Sequence, residues 1–84
     1  MWYVYLVECN DGTVYTGITT DVNKRITTHN KGKGAKYCKN RLPVILKAFW
    51  GVQNRSEASK LEIKIKKLKR NDKLLLINKF EMDV

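Results

Sequence analysis

A nearly unbroken apolar run opens the chain, Trp2-Tyr3-Val4-Tyr5-Leu6-Val7, ended by Glu8. Its aromatic and β-branched content predicts a strand over 2–8. Asn10-Asp11-Gly12 is a turn signal, and Thr13–Thr19 reads as a second strand, so the two form a β-hairpin. The loop length decides which side chains share a face. A two-residue Asp-Gly loop would put Tyr5 and Tyr15 on opposite faces. A three-residue Asn-Asp-Gly loop pairs Cys9 with Thr13, Val7 with Tyr15 and Tyr5 with Gly17, which brings both tyrosines to one face because strand side chains alternate. The three-residue loop, with Gly12 in the left-handed position, is the expected one.

Thr20 or Asp21 can cap a helix that runs to about Asn30, and Gly32 stops it. Lys31–Gly34 reads as a loop, followed by a short turn or helix over Ala35–Lys39. Pro43 opens a third strand, Val44–Val52. Asn54 with Glu57 three residues later resembles a capping box, and the helix it starts is expected to run to about Lys69, with Ala58, Leu61, Ile65 and Leu68 at helical spacing. Asn71-Asp72 can cap a last helix over Lys73–Phe80, whose apolar face includes Leu74, Leu76, Ile77 and Phe80. The expected order is ββααβαα. No parallel crossover is visible, so the fold class is α+β, built on a small antiparallel sheet.

Composition narrows the picture. The chain has 84 residues, 43% hydrophobic, enough for one small core, so a single domain over 1–84 is expected. Two cysteines, Cys9 and Cys38, and one histidine are too few for a zinc finger or a disulfide framework. The cysteines read as reduced, buried small hydrophobes. The apolar opening lacks a basic leader and is too short for a signal peptide or a membrane span, so a cytoplasmic location is expected. The 17 Lys+Arg against 8 Asp+Glu leave a net charge of +9. A charge of that size on so small a domain points to polyanions, with nucleic acid ahead of an anionic membrane surface. The cations form two stripes: Lys31, Lys33, Lys36, Lys39, Arg41 and Lys47, then Lys60, Lys64, Lys66, Lys67, Lys69, Arg70 and Lys73.

Five polar groups stand out: Tyr5, Tyr15, Arg25, His29 and Glu57. Each has a bland explanation. A strand tyrosine packs its ring and wets its hydroxyl. An arginine on a helix is most often solvated, a histidine near a helix C-terminus favours the dipole, and Glu57 can simply cap. Their order is more informative. Tyr3-Val4-Tyr5 on one strand, Tyr15-Thr16-Gly17 on its neighbour, Arg25-x-x-x-His29 on one face of a helix and Glu57 opening a later helix together resemble the GIY-YIG nuclease family. Tyr3 and Val4 depart from the first motif and Thr16 from the second, at positions that hold the strand and not the chemistry. Tyr15–Asp21, Gly34-Ala35-Lys36-Tyr37 and Arg55-Ser56-Glu57-Ala58 look like the small stand-alone bacterial UPF0213 branch, and the resemblance covers about Trp2 to Arg70.

That resemblance implies a three-stranded antiparallel sheet flanked by helices, and hydrolysis of a phosphodiester bond with one divalent metal ion, Mg²⁺ or Mn²⁺. Glu57 is the implied metal ligand; one hard carboxylate suffices for an ion that keeps most of its waters. Arg25 offers a planar fork for phosphate oxygens. The resemblance places both Tyr5 and Tyr15 beside the nucleophile; either can be the general base, and Tyr5 with His29 assisting is the favoured choice. A phenol near pKa 10 needs a nearby cation, such as Arg25, Lys36 or the metal, to reach its charged form. Gly17, Lys36 and Asn71 are supporting candidates, with helix capping the commoner job for an Asn at position 71. Lys33, Lys36, Lys39 and Arg41 are candidate nucleic-acid contacts.

The leading expectation is a DNA endonuclease, active on particular structures in repair or recombination. The alternative is a nucleic-acid-binding module that keeps the fold with little or no catalysis. An anionic-membrane binder is weak, because helix 55–69 has only a modest apolar face. With no second domain or zinc ligands to choose a site, binding should rest on phosphate contacts, or a partner protein should supply specificity. A monomer is expected.

Overall fold

A computed structural model describes residues 1–83; Val84, the last residue of the expected domain, lies outside them. The elements follow the expected order: β1 (Trp2–Glu8), β2 (Val14–Thr19), α1 (Val22–Asn30), α2 (Lys36–Lys39), β3 (Ile45–Val52), α3 (Arg55–Lys66) and α4 (Arg70–Asp83). The three strands form one antiparallel sheet in the order β2-β1-β3. As the central strand, β1 is covered on both faces, which is why it reads as a continuous apolar run; Val4, Tyr5, Leu6 and Val7 are all buried.

The hairpin has the three-residue loop. Cys9 N–H donates to the Thr13 carbonyl at 2.8 Å and Gly12 N–H to the Cys9 carbonyl at 2.9 Å. Gly12 sits at φ +83°, where only glycine is unstrained. Tyr5 therefore pairs with Gly17 and Val7 with Tyr15. Two hydrophobic clusters follow from this register. Val4 and Leu6 face Ala48, Ala58, Ile65 and Ile77 on the α3–α4 side. Tyr5, Val7 and Cys9 face Cys38 and Val44, with Tyr15, Ile26 and Ala35 packed around them on the α1–α2 side. Both cysteines are free and buried, as expected.

The helix starts follow their caps. Asp21, not Thr20, caps α1, accepting from Lys24 N–H at 3.0 Å. Asn54 caps α3, accepting from Glu57 N–H at 2.9 Å. At the end of α1 the Asn30 amide bonds both backbone groups of Val44, at 2.8 and 3.1 Å, and ties this helix to the chain entering β3.

The boundary between the last two helices is corrected. The α3 helix ends at Lys66, not Lys69, because Leu68 N–H turns back to the Ile65 carbonyl at 3.0 Å. The α4 helix starts at Arg70, with the Lys69 carbonyl accepting from Lys73 N–H at 3.1 Å. Asn71 thus lies inside the first turn of α4 and does not cap it. Arg70 reaches back to the Gly12 carbonyl at 3.0 Å, which holds this turn against the hairpin. Among the described residues no helix is long and apolar enough to cross a membrane.

Thr16 faces the apolar α3 side of the sheet, 2% exposed, and its hydroxyl has no hydrogen-bond partner. An unpartnered buried hydroxyl costs on the order of 1 kcal/mol. Thr16→Val, which keeps the shape and removes the hydroxyl, is expected to raise the melting temperature by about 4–8 °C; thermal unfolding followed by circular dichroism checks this.

Candidate active site

The site is built on the face of β1 that the hairpin register assigns to Tyr5 and Tyr15. The Tyr5 hydroxyl lies 2.8 Å from His29 Nε2, and Arg25 Nε donates to it at 3.4 Å. Arg25 and His29 stand one helical turn apart on α1, so a single helix face delivers both. Gly17, opposite Tyr5 on β2, leaves the space the phenol occupies; a Cβ there would overlap the Tyr5 hydroxyl. Gly34 does the same for His29, whose ring a Cβ at position 34 would overlap.

The loop after α1 also sets the histidine tautomer. Ala35 N–H donates to His29 Nδ1 at 3.3 Å. Nδ1 is therefore an acceptor, and in the neutral ring the proton sits on Nε2, facing Tyr5. The Tyr5 oxygen accordingly accepts from two N–H groups, one from Arg25 and one from His29, and its own proton is committed to neither.

Tyr15 completes an aromatic group. Its ring centroid is 6.4 Å from Tyr5 and 5.8 Å from His29, edge to face, and it stacks on Tyr37 at 5.7 Å with 25° between planes. The Arg41 guanidinium lies over the Tyr37 ring, 4.1 Å from its centroid.

Burial dominates the titration of these groups. It pushes Tyr5 up to about 12, with Arg25 pulling the other way. It also raises Tyr15, and it lowers His29, with Arg25 adding to that effect. The expectation that a neighbouring cation would favour the phenolate is thus outweighed in the free protein: both tyrosines are neutral at pH 7, and so is His29. Burial likewise pushes the Cys38 thiol up to about 11, leaving it a poor nucleophile.

The carboxylate is where the structure departs most from the sequence reading. Glu57 lies in the first turn of α3, with its side chain 54% exposed and 3.6 Å from Lys60 Nζ. No contact among the described residues joins it to the tyrosines. Glu62 stands elsewhere on the same helix. Its side chain is only 20% exposed, its Oε2 is 3.5 Å from Lys66 Nζ, and Lys66 Nζ is 5.9 Å from the Tyr15 centroid. The Glu62 charge is also among those that raise Tyr15. Of the two acidic residues on α3, Glu62 is the one at the aromatic group. A signal for it was present in the sequence. Position 62 is four residues after Ala58 and three before Ile65, inside the apolar stripe of α3, where an acidic side chain needs a reason.

The remaining candidates divide. Lys33, Lys36 and Lys39 are exposed on the loop and short helix beyond His29, in no salt bridge among the described residues. Arg41 is not a free phosphate fork: its Nε meets Asp11 at 2.9 Å and its terminal nitrogen donates to the Tyr37 carbonyl at 2.7 Å. Asn71 is exposed on α4, and no described contact brings it to the tyrosines. Among the described residues no three His, Cys, Asp or Glu side chains gather as a metal cluster. A hard cation that keeps most of its waters still fits one shielded carboxylate such as Glu62.

His29 is the only histidine, and its proton affinity is lowered below the ordinary 6.5 by folding. The unfolded chain therefore binds that proton more readily, and stability present above about pH 6.5 is lost as pH falls toward the folded value. The melting temperature is expected to fall as the pH drops below about 6.5, more steeply than in His29→Gln. Equal slopes in the two proteins would contradict the buried neutral ring.

Comparison with known proteins gives the family of this fold. Residues 1–75 match the family model described as the GIY-YIG catalytic domain. A UPF0213 protein of Halobacterium salinarum is 49% identical over 73 residues, covering 87% of this chain and 95% of that one. A UPF0213 protein of Staphylococcus haemolyticus is 51% identical over 75 residues, covering 89% and 92%. Among solved structures, the solution structure of a UPF0213 protein from Bacillus halodurans superposes with a TM-score of 0.59 at 47% identity, covering 93% of this chain and 84% of that one. A protein from E. faecalis gives 0.63 at 42% identity, covering 95% and 85%. The α+β sheet, the paired tyrosines with the Arg25–His29 helix face, and these matches place the chain in the GIY-YIG domain family, alongside the UPF0213 proteins.

Proposed function

We propose that the chain works as one domain, a metal-dependent nuclease that hydrolyses phosphodiester bonds in nucleic acid, DNA foremost. The observation that carries this reading is the Tyr5 oxygen accepting N–H groups from Arg25 and His29 beside a second tyrosine, Tyr15. Two donors aimed at one buried oxygen suit a phenol that must carry negative charge transiently. A pure binding surface has no use for that arrangement.

Each residue has a definable task. Tyr5, in its charged form, accepts a proton from the attacking water. The His29 and Arg25 N–H groups stabilise that form against the burial that opposes it. Arg25 presents its remaining nitrogens to phosphate oxygens; it lines a cleft of about 190 Å³ with Thr19, Thr20, Asp21, Lys24 and Thr28. Glu62, in place of Glu57, would hold Mg²⁺ or Mn²⁺, which would supply neutralisation of phosphate charge and support for the departing oxygen. Lys33, Lys36 and Lys39 add phosphate contacts. One site cuts one strand per event, and the protein acts as a monomer, with any sequence preference supplied by a partner protein.

A non-catalytic nucleic-acid-binding module is the second reading. The observation that favours it is that burial holds Tyr5 protonated at neutral pH.

Incubation with single-stranded, duplex and branched DNA and with RNA, in Mg²⁺ or Mn²⁺, separates the two. The expected result is cleavage that EDTA abolishes, that falls at least about 100-fold in Glu62→Gln, and that changes only a few-fold in Glu57→Gln. Loss in Glu57→Gln alone would return the metal to Glu57. Binding without cleavage of any substrate would leave the binding module standing.

The pH dependence tests the base. Because Tyr5 must lose a proton, kcat/KM is expected to rise with pH from neutral into the alkaline range. Tyr5→Phe should lose about 10²–10⁴-fold, and the rise with it. A Tyr5→Phe profile that keeps the alkaline rise would exclude Tyr5 as the base.

A further inference from the structure

A second cleft of about 190 Å³ opens at the hairpin end of the sheet, lined by Thr13, Val14, Tyr37, Arg70 and Lys73. Its Tyr37 wall is the ring stacked on Tyr15, so the cleft adjoins the catalytic group directly. Arg70 and Lys73 are three residues apart on α4 and project from one face. The Arg70 guanidinium is anchored by its bond to the Gly12 carbonyl, which leaves its other N–H groups available. Lys73 is half-buried, and neither cation takes part in a salt bridge among the described residues. The Thr13 hydroxyl is engaged with Asp11 at 2.6 Å, and Arg70 and Lys73 are the charged groups that line the cleft.

Position along β2 says what this cleft is for. The strand is an edge of the sheet and runs from Val14 to Thr19. The Arg70–Lys73 cleft lies at its start and the cleft containing Lys24 and Arg25 just past its end. Tyr15, and Gly17 with the Tyr5 hydroxyl against it, stand between them. Six strand residues span roughly 20 Å. Two cationic clefts thus flank the reactive oxygen along one edge, as a polyanionic strand of several nucleotides would require.

Resting on the nucleic-acid reading above, we propose that the Thr13–Tyr37–Arg70–Lys73 cleft is a backbone subsite. It holds a phosphate of the substrate strand away from the scissile bond, with Arg70 and Lys73 as its ligands. The last helix thereby helps set the path of the strand across the Tyr5–Tyr15 centre, beyond its part in the core.

Binding measured in EDTA tests this without any cleavage. A fluorescein-labelled single-stranded oligonucleotide is titrated at several salt concentrations against the wild type, Arg70→Gln, Lys73→Gln, the double variant and Lys79→Gln, an exposed α4 lysine outside the cleft. Each lost contact should flatten the dependence of log K on log salt by about 0.7, while Lys79→Gln leaves it near the wild-type slope. A set of oligonucleotides, each with one neutral methylphosphonate linkage, then locates the contact. One or two linkages should weaken binding to the wild type and have no effect on the double variant. Unchanged slopes in Arg70→Gln and Lys73→Gln, equal flattening by Lys79→Gln, or a double variant in which every methylphosphonate penalty of the wild type persists would each overturn the subsite. Melting temperatures of all variants identify any loss that comes from unfolding. Because the readout is binding, the subsite can stand where cleavage fails and fail where cleavage stands.

Discussion

Burying the Tyr5 hydroxyl is the constraint around which the rest of the site is arranged. The residue lies on the central strand, covered on both faces, and is 1% exposed. A phenol oxygen in that position must find partners inside the protein, because leaving it unpaired costs a substantial part of a small domain's net stability. Its partners come from one face of α1. That helix is held in place at its start by the Asp21 cap and at its end by the Asn30 clasp on Val44. Space is needed as well as partners, and it comes from two missing side chains, at Gly17 beside the hydroxyl and at Gly34 beside the imidazole.

The same burial sets the electrostatic character of the site. Removing Tyr5, Tyr15 and His29 from water drives all three toward their neutral forms, and one arginine does not reverse this for the phenols. The resting site is therefore a neutral hydrogen-bonded group beside a permanent cation. At neutral pH it carries no charge on Tyr5. The chain as a whole carries a net charge of +9, whereas the site itself is uncharged apart from Arg25 and the Glu62–Lys66 pair.

The two acidic residues of α3 show how local and tertiary logic diverge. Glu57 follows Asn54 at capping-box spacing, and Asn54 does accept its N–H. That role accounts for Glu57 without chemistry, and its carboxylate turns outward to Lys60. Glu62 has no local role of that kind. It occupies a position that the periodicity of α3 assigns to the core, and it is tolerated there because the helix packs beside the hairpin and Lys66, itself near the Tyr15 ring, pairs with it. Arg41 diverges in the opposite direction. As a cation in a basic stripe it reads as a phosphate contact, yet Asp11, 30 residues away, and the Tyr37 carbonyl engage it as a clasp between hairpin and short helix.

What the sequence by itself determined is whatever depends on spacing within one element or across one tight turn. The succession of strands and helices along the chain, the three-residue loop that brings Tyr5 and Tyr15 to one face, the Asn54 cap, and the Arg25–His29 pair all belong there, because strand alternation, helix periodicity and turn stereochemistry are local. The tertiary structure alone decided what depends on contacts between elements distant in sequence. It brought Glu62, and not Glu57, near the tyrosines, engaged Arg41 internally and set the His29 tautomer through Ala35. It also moved the start of α4 back to Arg70, where the guanidinium could reach the hairpin. Each of these follows from which groups meet once the sheet and helices pack and water is excluded, and neither periodicity nor composition carries that information.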